Sequence, residues 1–230
     1  MDRKPRVEPT THEQETVAVV LQVRDAALQV LLWRRAKAPF AGRWALPGGA
    51  LGAETLERSI RRHLAAKVDV RELTHLEQLE TRADPRGARV TTAYLGLVRT
   101  GLDPEVPDDT AWHPVDRLPA TAFDHGAFAR SGRDRLRAKL SYTNLGFALA
   151  PETFTISELR ELYATALGHE VSATNLQRVL LRRGVLVSTG DRRPSGRTGG
   201  RPAEVFRFRA SGLEITDQFA VLRPPGRETD

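Results

Sequence analysis

Two stretches of the chain carry side chains that could work on phosphates. Between residues 178 and 209 there are nine arginines and only two acids, Asp191 and Glu204. Arginine presents a rigid fork of donors that matches a phosphate or a guanine edge, so the partner implied is a polyanion. The second stretch is Phe40-Ala-Gly-Arg-Trp-Ala-Leu-Pro-Gly-Gly49, a Gly- and Pro-dense loop that leads to Glu54, Glu57 and Arg62. Carboxylates in such a place could hold a hard cation, provided several oxygens converge on it. Other chemistries are excluded by composition. There is no cysteine, which removes disulfides, zinc-thiolate sites, thiol nucleophiles and iron–sulfur clusters. The six histidines are scattered without metal-ligand spacing.

These residues have to be positioned by elements, and the chain divides into two units. Its 230 residues suit one large or two ordinary domains, and 40% hydrophobic with 28% charged residues supports a packed core. The net charge of +6 is unevenly placed. Residues 1–125 balance 18 basic against 18 acidic residues, whereas 126–150 hold 5 against 1 and 151–230 hold 12 against 10. The N-terminus is polar and no apolar run approaches the ~18 residues of a membrane span, so a cytoplasmic protein without membrane attachment is expected.

In the first unit, residues 16–23 and 28–34 read as buried strands, and 54–68 as a helix with Leu56, Ile60 and Leu64 along one face. Residues 73–82 and 90–98 read as a strand pair, and Trp112 opens a last short element. A helix with a basic face follows over 123–140. Helices at 157–167 and 172–183, the stop at Gly184 and strands at 185–187 and 205–208 make a winged helix-turn-helix pattern. The fold class expected is α+β. Thr155, Ser157 and Ser172 are placed to cap helices and meet phosphates. Thr174, Asn175, Arg178, Arg182 and Arg183 supply polar reach on the second helix, and Arg192, Arg193, Arg197 and Arg201 arm the wing. Double-stranded operator DNA is the polyanion these residues suit.

The loop and helix around Gly48 resemble the box of the Nudix hydrolases, G-x5-E-x7-R-E-U-x-E-E-x-G-U, with Glu54 on the first glutamate and Arg62 on the arginine. The family uses its clustered glutamates to hold divalent metals against a diphosphate. After Arg62 the match breaks: the positions of the two metal-holding glutamates carry Ala66 and Lys67, the preceding glutamate is His63 and the box glycine is Asp69. A Nudix fold without hydrolysis, and with no cofactor, is therefore expected. Arg43, Trp44, Gly48, Gly49, Glu54, Arg62 and Lys67 are the candidate ligand-binding residues. In this reading Arg43, with Lys67 in place of a metal, meets the phosphates. The bland alternative is that the loop residues only shape the backbone while Glu54 and Arg62 brace the helix.

Joined to a basic winged helix, this pattern resembles the NrtR family of Nudix-related transcriptional regulators of NAD metabolism. The residues that carry the likeness include Pro39 to Gly49, Phe123-Asp-His125, Phe154 to Leu159 with Tyr163, Asn175 with Arg178, and Arg201-Pro-Ala203 before Phe206-Arg-Phe208. The resemblance implies an N-terminal Nudix-like α/β/α sandwich for ligand binding and dimerisation over 12–125. It further implies a connecting helix and linker over 126–150 and a winged helix over 151–225. It implies a homodimeric repressor of NAD biosynthesis or salvage genes, with ADP-ribose or a related nucleotide as effector. Two alternatives stay open: an active hydrolase of ADP-ribose-like substrates using displaced carboxylates, and a regulator of sugar catabolism.

Overall fold

The computed structural model describes residues 13–84, 89–194 and 202–217. The chain runs β1 (Glu13–Arg24), β2 (Ala27–Arg34), β3 (Trp44–Ala45), β4 (Gly48–Ala50), α1 (Leu56–Val68), β5 (His75–Ala83), β6 (Arg89–Leu97), β7 (Thr110–Pro114) and α2 (His125–Tyr142). It continues through β8 (Phe154–Thr155), α3 (Ile156–Leu167), α4 (Ala173–Arg182), β9 (Leu186–Arg193) and β10 (Ala203–Phe208).

Side chains alternate across a strand, so the run Val17 to Val23 sends Val17, Val19, Leu21 and Val23 to one face and Ala18 and Val20 to the other. A strand apolar on both faces belongs at the centre of a covered sheet. β1 accordingly lies between β2 and β6 in the order β3-β2-β1-β6-β5, with β4 also on β1 and β7 on β2. The β1–β6 pairing is parallel and sets Glu15 beside Thr91. The β1–β2 turn is closed by Asp25 and Ala26 at φ 47° and 55°, the left-handed pair of a two-residue hairpin. Ile60, Leu64 and Val68 of α1 cover one face of the sheet. On α2, Phe128, Gly132, Leu136 and Leu140 stand four apart and form the buried stripe that covers the other. The helix crosses β1 so closely that a Cβ on Gly132 would lie 2.6 Å from the Val19 Cγ1. The result is the expected three-layer α/β/α sandwich.

The C-terminal part is the expected winged helix: α3 and α4 backed by a three-stranded sheet in the order β8-β10-β9. Thr155 accepts from the Glu158 N–H while Glu158 accepts from the Thr155 N–H, a reciprocal cap that starts α3. Gly168 at φ 78° ends it, and the Ser172 side chain caps α4.

Residues 126–150 differ from the expected connector. α2 is a structural layer of the sandwich, and residues 145–150 are buried. A single apolar cluster runs from Val17, Leu32 and Leu136 through Leu149 and Phe154 to Leu162, Tyr163 and Phe206. The Thr100 N–H also donates to the Leu149 carbonyl at 2.7 Å. The arginines of α2 give the basic face read from the sequence, and the buried stripe of Phe128, Gly132, Leu136 and Leu140 lies between them. Among the described residues no helix is long and apolar enough to cross a membrane.

Candidate ligand pocket and nucleic-acid interface

The glycines of the loop answer to close packing. A Cβ on Gly49 would stand 2.7 Å from the His63 Cε1, and one on Gly48 would run into the Thr16 carbonyl. α1 begins one residue after Thr55, whose hydroxyl accepts from the Arg58 N–H. On its open side Arg62 donates twice to the Glu54 Oε1, at 2.5 and 3.0 Å. That guanidinium holds the Glu54 carboxyl below the usual carboxylate range, and Glu54 in turn raises Arg62. His63 faces the Ala50 carbonyl at 3.1 Å, and burial pushes its pKa down. The Lys67 ammonium donates to the Gly48 carbonyl at 2.5 Å and lies 4.4 Å over the Trp33 ring. Burial, then the charge of Arg35, lowers its pKa.

These residues do not fit a divalent cation. Glu54 is engaged by Arg62, Glu57 pairs with Arg61 at 2.9 Å, and the two remaining box positions offer a methyl group and an ammonium. Among the described residues no group of three or more His, Asp or Glu is placed to hold a metal.

A cavity of about 830 Å³ opens between β1, β5, β6 and the segments before β3 and α2, walled by Glu15, Phe40, Arg82, Arg89, Phe123 and Asp124 among others. That volume is in the range of small-molecule sites, about 300–1,000 Å³. Two of its wall residues, Phe40 and Phe123, pack on one another edge to face at 4.9 Å. Both have left-handed backbone, φ 66° and 50°, which bulky side chains adopt only where the surroundings force it. Just inside, His125 is buried with its Nδ1 accepting from the Leu46 N–H at 2.9 Å. Desolvation, with the charges of Arg35 and Arg89, pushes its pKa down to about 3.

The structure thus separates the residues expected to bind ligand into two groups. Gly48, Gly49, Glu54, Arg62 and Lys67 gather around the start of α1. Arg43 and Trp44 lie elsewhere: Arg43 sits 5.5 Å over Phe40, and Trp44 packs edge to face on His113 at 4.4 Å. Glu15 joins the two regions, because it lines the cavity, accepts from the Thr91 hydroxyl at 2.7 Å and acts electrostatically on Lys67. Sequence reasoning had assigned no role to Glu15, Arg35, Phe40, Arg82, Arg89 or Phe123. The only signal was the Pro39-Phe40 and Phe123-Asp-His125 stretches, which stood out without a chemical reason.

At the other end of the chain α4 exposes Thr174, Asn175, Arg178 and Arg182 and buries Leu176 and Leu180. Arg178 donates to the Asn175 Oδ1 at 2.8 Å, which aims both side chains from one face. Ser157, Ser172 and Arg192 are exposed as well. Three residues expected to reach DNA have internal partners instead. Thr155 is buried in its cap. Arg183, half-buried at the end of α4, donates to Asp217 at 2.6 Å and to the Ser141 carbonyl at 2.9 Å. Arg193 bonds Glu158 at 2.9 Å and the Thr153 hydroxyl at 2.8 Å. Arg197 and Arg201 lie outside the described residues.

Comparison with known proteins matches both domains of the chain. A NUDIX domain model matches residues 13–131, and a model of the NrtR DNA-binding winged helix domain matches residues 146–208. The chain is 30% identical to the ADPR responsive transcriptional repressor NtrR of Acinetobacter baylyi, over 82% of this chain and 79% of that protein. It is 31% identical to Shewanella oneidensis NrtR solved with a 27mer DNA, covering 85% of this chain and 93% of that one with a TM-score of 0.70. A MutT/nudix family protein from Enterococcus faecalis shares the fold at 21% identity, with 89% of each chain covered and a TM-score of 0.68.

Proposed function

Because this chain belongs to the NrtR family, a NUDIX domain followed by an NrtR winged helix, we propose that it is a homodimeric, DNA-binding repressor of NAD biosynthesis or salvage genes that senses ADP-ribose or a related nucleotide without hydrolysing it. The observation that carries the reading is the open face of α4, where Thr174, Asn175, Arg178 and Arg182 offer the donor and acceptor types that read base edges. The similarity to a repressor named as ADPR responsive, and to an NrtR solved on DNA, supports both the output and the effector. The engagement of Glu54 by Arg62 and of Lys67 by the Gly48 carbonyl supports a receptor that keeps its ligand intact.

An effector shifts the equilibrium only if it binds the DNA-free arrangement more tightly. α2 is the element that can carry the difference. Asp124 at its start lines the cavity, and the Ser141 carbonyl near its end accepts from Arg183 at the foot of α4.

A gel shift on DNA upstream of NAD genes tests the reading. A retarded band that ADP-ribose dissolves is the expected result. A band indifferent to ADP-ribose removes the effector, and no band removes the repressor. Incubated with ADP-ribose and Mg²⁺, the protein should show no turnover, and turnover that vanishes in Glu54→Gln would restore the hydrolase reading.

A further inference from the structure

The Phe123-Asp-His125 stretch encloses a set of donors that the fold leaves unused. Two guanidinium groups lie over the Phe123 ring, Arg89 at 4.8 Å and Arg35 at 5.0 Å from its centre, with the His125 ring at 5.4 Å. Two of these three neighbours keep a buried nitrogen without a hydrogen-bond partner, the Arg89 Nε and the His125 Nε2. Since the His125 Nδ1 accepts from Leu46, the proton of the neutral ring is on Nε2, and both orphans are donors. Arg35 gives its Nε–H to the Pro39 carbonyl at 3.0 Å and has no carboxylate partner among the described residues. Arg89 reaches Glu13 at 3.3 Å and Glu15 at 3.8 Å through its terminal nitrogens only. A buried donor without an acceptor is costly, and natural folds rarely leave two together.

The missing partner must bring several acceptor oxygens and negative charge to two guanidinium groups and a neutral imidazole. That is the chemistry of a diphosphate. Phe123 stands in the way. It borders the cavity, its backbone is held at φ 50°, and it directly precedes Asp124, which stands at the start of α2. Resting on the reading of this domain as a nucleotide receptor, we propose that the diphosphate of the effector docks on Arg35, Arg89 and His125, displacing the Phe123 ring that plugs them, and not at the box helix. The carboxylates of Glu15 and Asp124 also stand on the cavity wall, where they can accept from sugar hydroxyls beside their present partners Thr91 and Arg82. Displacement of Phe123 acts on the first turn of α2, the end opposite the Arg183 contact.

The test is calorimetric titration of the full chain with ADP-ribose and, separately, with ADP, in the parent and in Arg89→Gln, His125→Asn and Phe123→Ala. Asparagine sets its amide oxygen where Nδ1 stood, so His125→Asn keeps an acceptor for Leu46 and loses only the Nε2 donor. Operator binding without effector checks the fold of each variant, and the two polar variants are independent of one another. Arg89→Gln and His125→Asn should each weaken both ligands about ten- to hundredfold, the range of a lost charge-assisted hydrogen bond. Phe123→Ala should bind at least as tightly as the parent. Parent-like affinity in both polar variants overturns the site while the effector reading stands. A parent that binds ADP through these residues but ignores ADP-ribose upholds the site and overturns the effector. A parent that binds neither overturns both, and Phe123→Ala as weak as Arg89→Gln overturns the plug.

Discussion

Arg178 and Arg192 are both exposed arginines, yet they should behave differently on DNA. Arg178 is held by Asn175 at 2.8 Å on the outer face of α4, and a side chain oriented in that way can discriminate a base edge. Arg192 stands on β9 with no such brace among the described residues and suits a phosphate. Arg178→Ala is expected to relax discrimination at one operator position by about 1–3 kcal/mol, and Arg192→Ala to weaken all sequences alike. Competition binding with single-base operator variants tells the two apart. His125 makes a prediction of a different kind. Its pKa falls from 6.5 to about 3 on folding, so below pH 6.5 the unfolded chain binds the proton that the folded chain refuses. The stabilisation is complete above pH 6.5 and is lost as pH falls towards 3, at about 1.4 kcal/mol per pH unit. Urea midpoints at pH 7.5 and 5 should therefore drop less in His125→Asn than in the parent. His63 and His113 shift in the same direction and remain in both proteins, so they cancel in that comparison.

Among the elements, α2 has the widest role. It buries Phe128, Leu136 and Leu140 under the sheet, borders the cavity at Asp124 and meets α4 through Arg183. Asp217 fixes that last contact at 2.6 Å. If the contact transmits the ligand signal, Asp217→Asn should leave ADP-ribose affinity within about twofold and shrink the ratio of operator affinities measured with and without ADP-ribose. Allosteric couplings of this type are typically about 1–3 kcal/mol, which is the size of the effect at stake. The central strands β1 and β2 were legible in the sequence as near-continuous apolar runs, and α1 by its apolar residues four apart. β3, β4 and β8 were not, being two or three residues long. The register from Gly48 to Arg62 identified the box helix and the residues it lacks, but the cavity escaped because its walls come from distant segments. Glu15 and Arg89 lie on separate strands brought together by parallel pairing, and no local pattern announces that contact. Arg183 and Arg193 looked free because sequence displays a charge but not the Asp217 or Glu158 that engages it.

At the scale of the whole molecule the charge is divided between the two tasks. The first 125 residues are balanced at 18 against 18, and nine arginines lie in 178–209. A dimer making six to ten phosphate contacts is expected to lose about 10³–10⁵ in affinity between 50 and 200 mM salt. A titration that stays flat over that range would contradict the DNA reading. The two tasks are nevertheless joined physically, since the apolar cluster passes from Val17 and Leu32 to Tyr163 and Phe206 without a break. This has a consequence for descent. Regulators commonly acquire new inputs when a reading head and a sensing head are exchanged across a loose tether. Here the tether is itself core, so an incoming winged helix must match Leu136, Leu140 and Leu145 as well as find its operator. Sensor and reader would therefore be inherited as one block, and new specificities would arise by substitution within the chain rather than by trade between lineages.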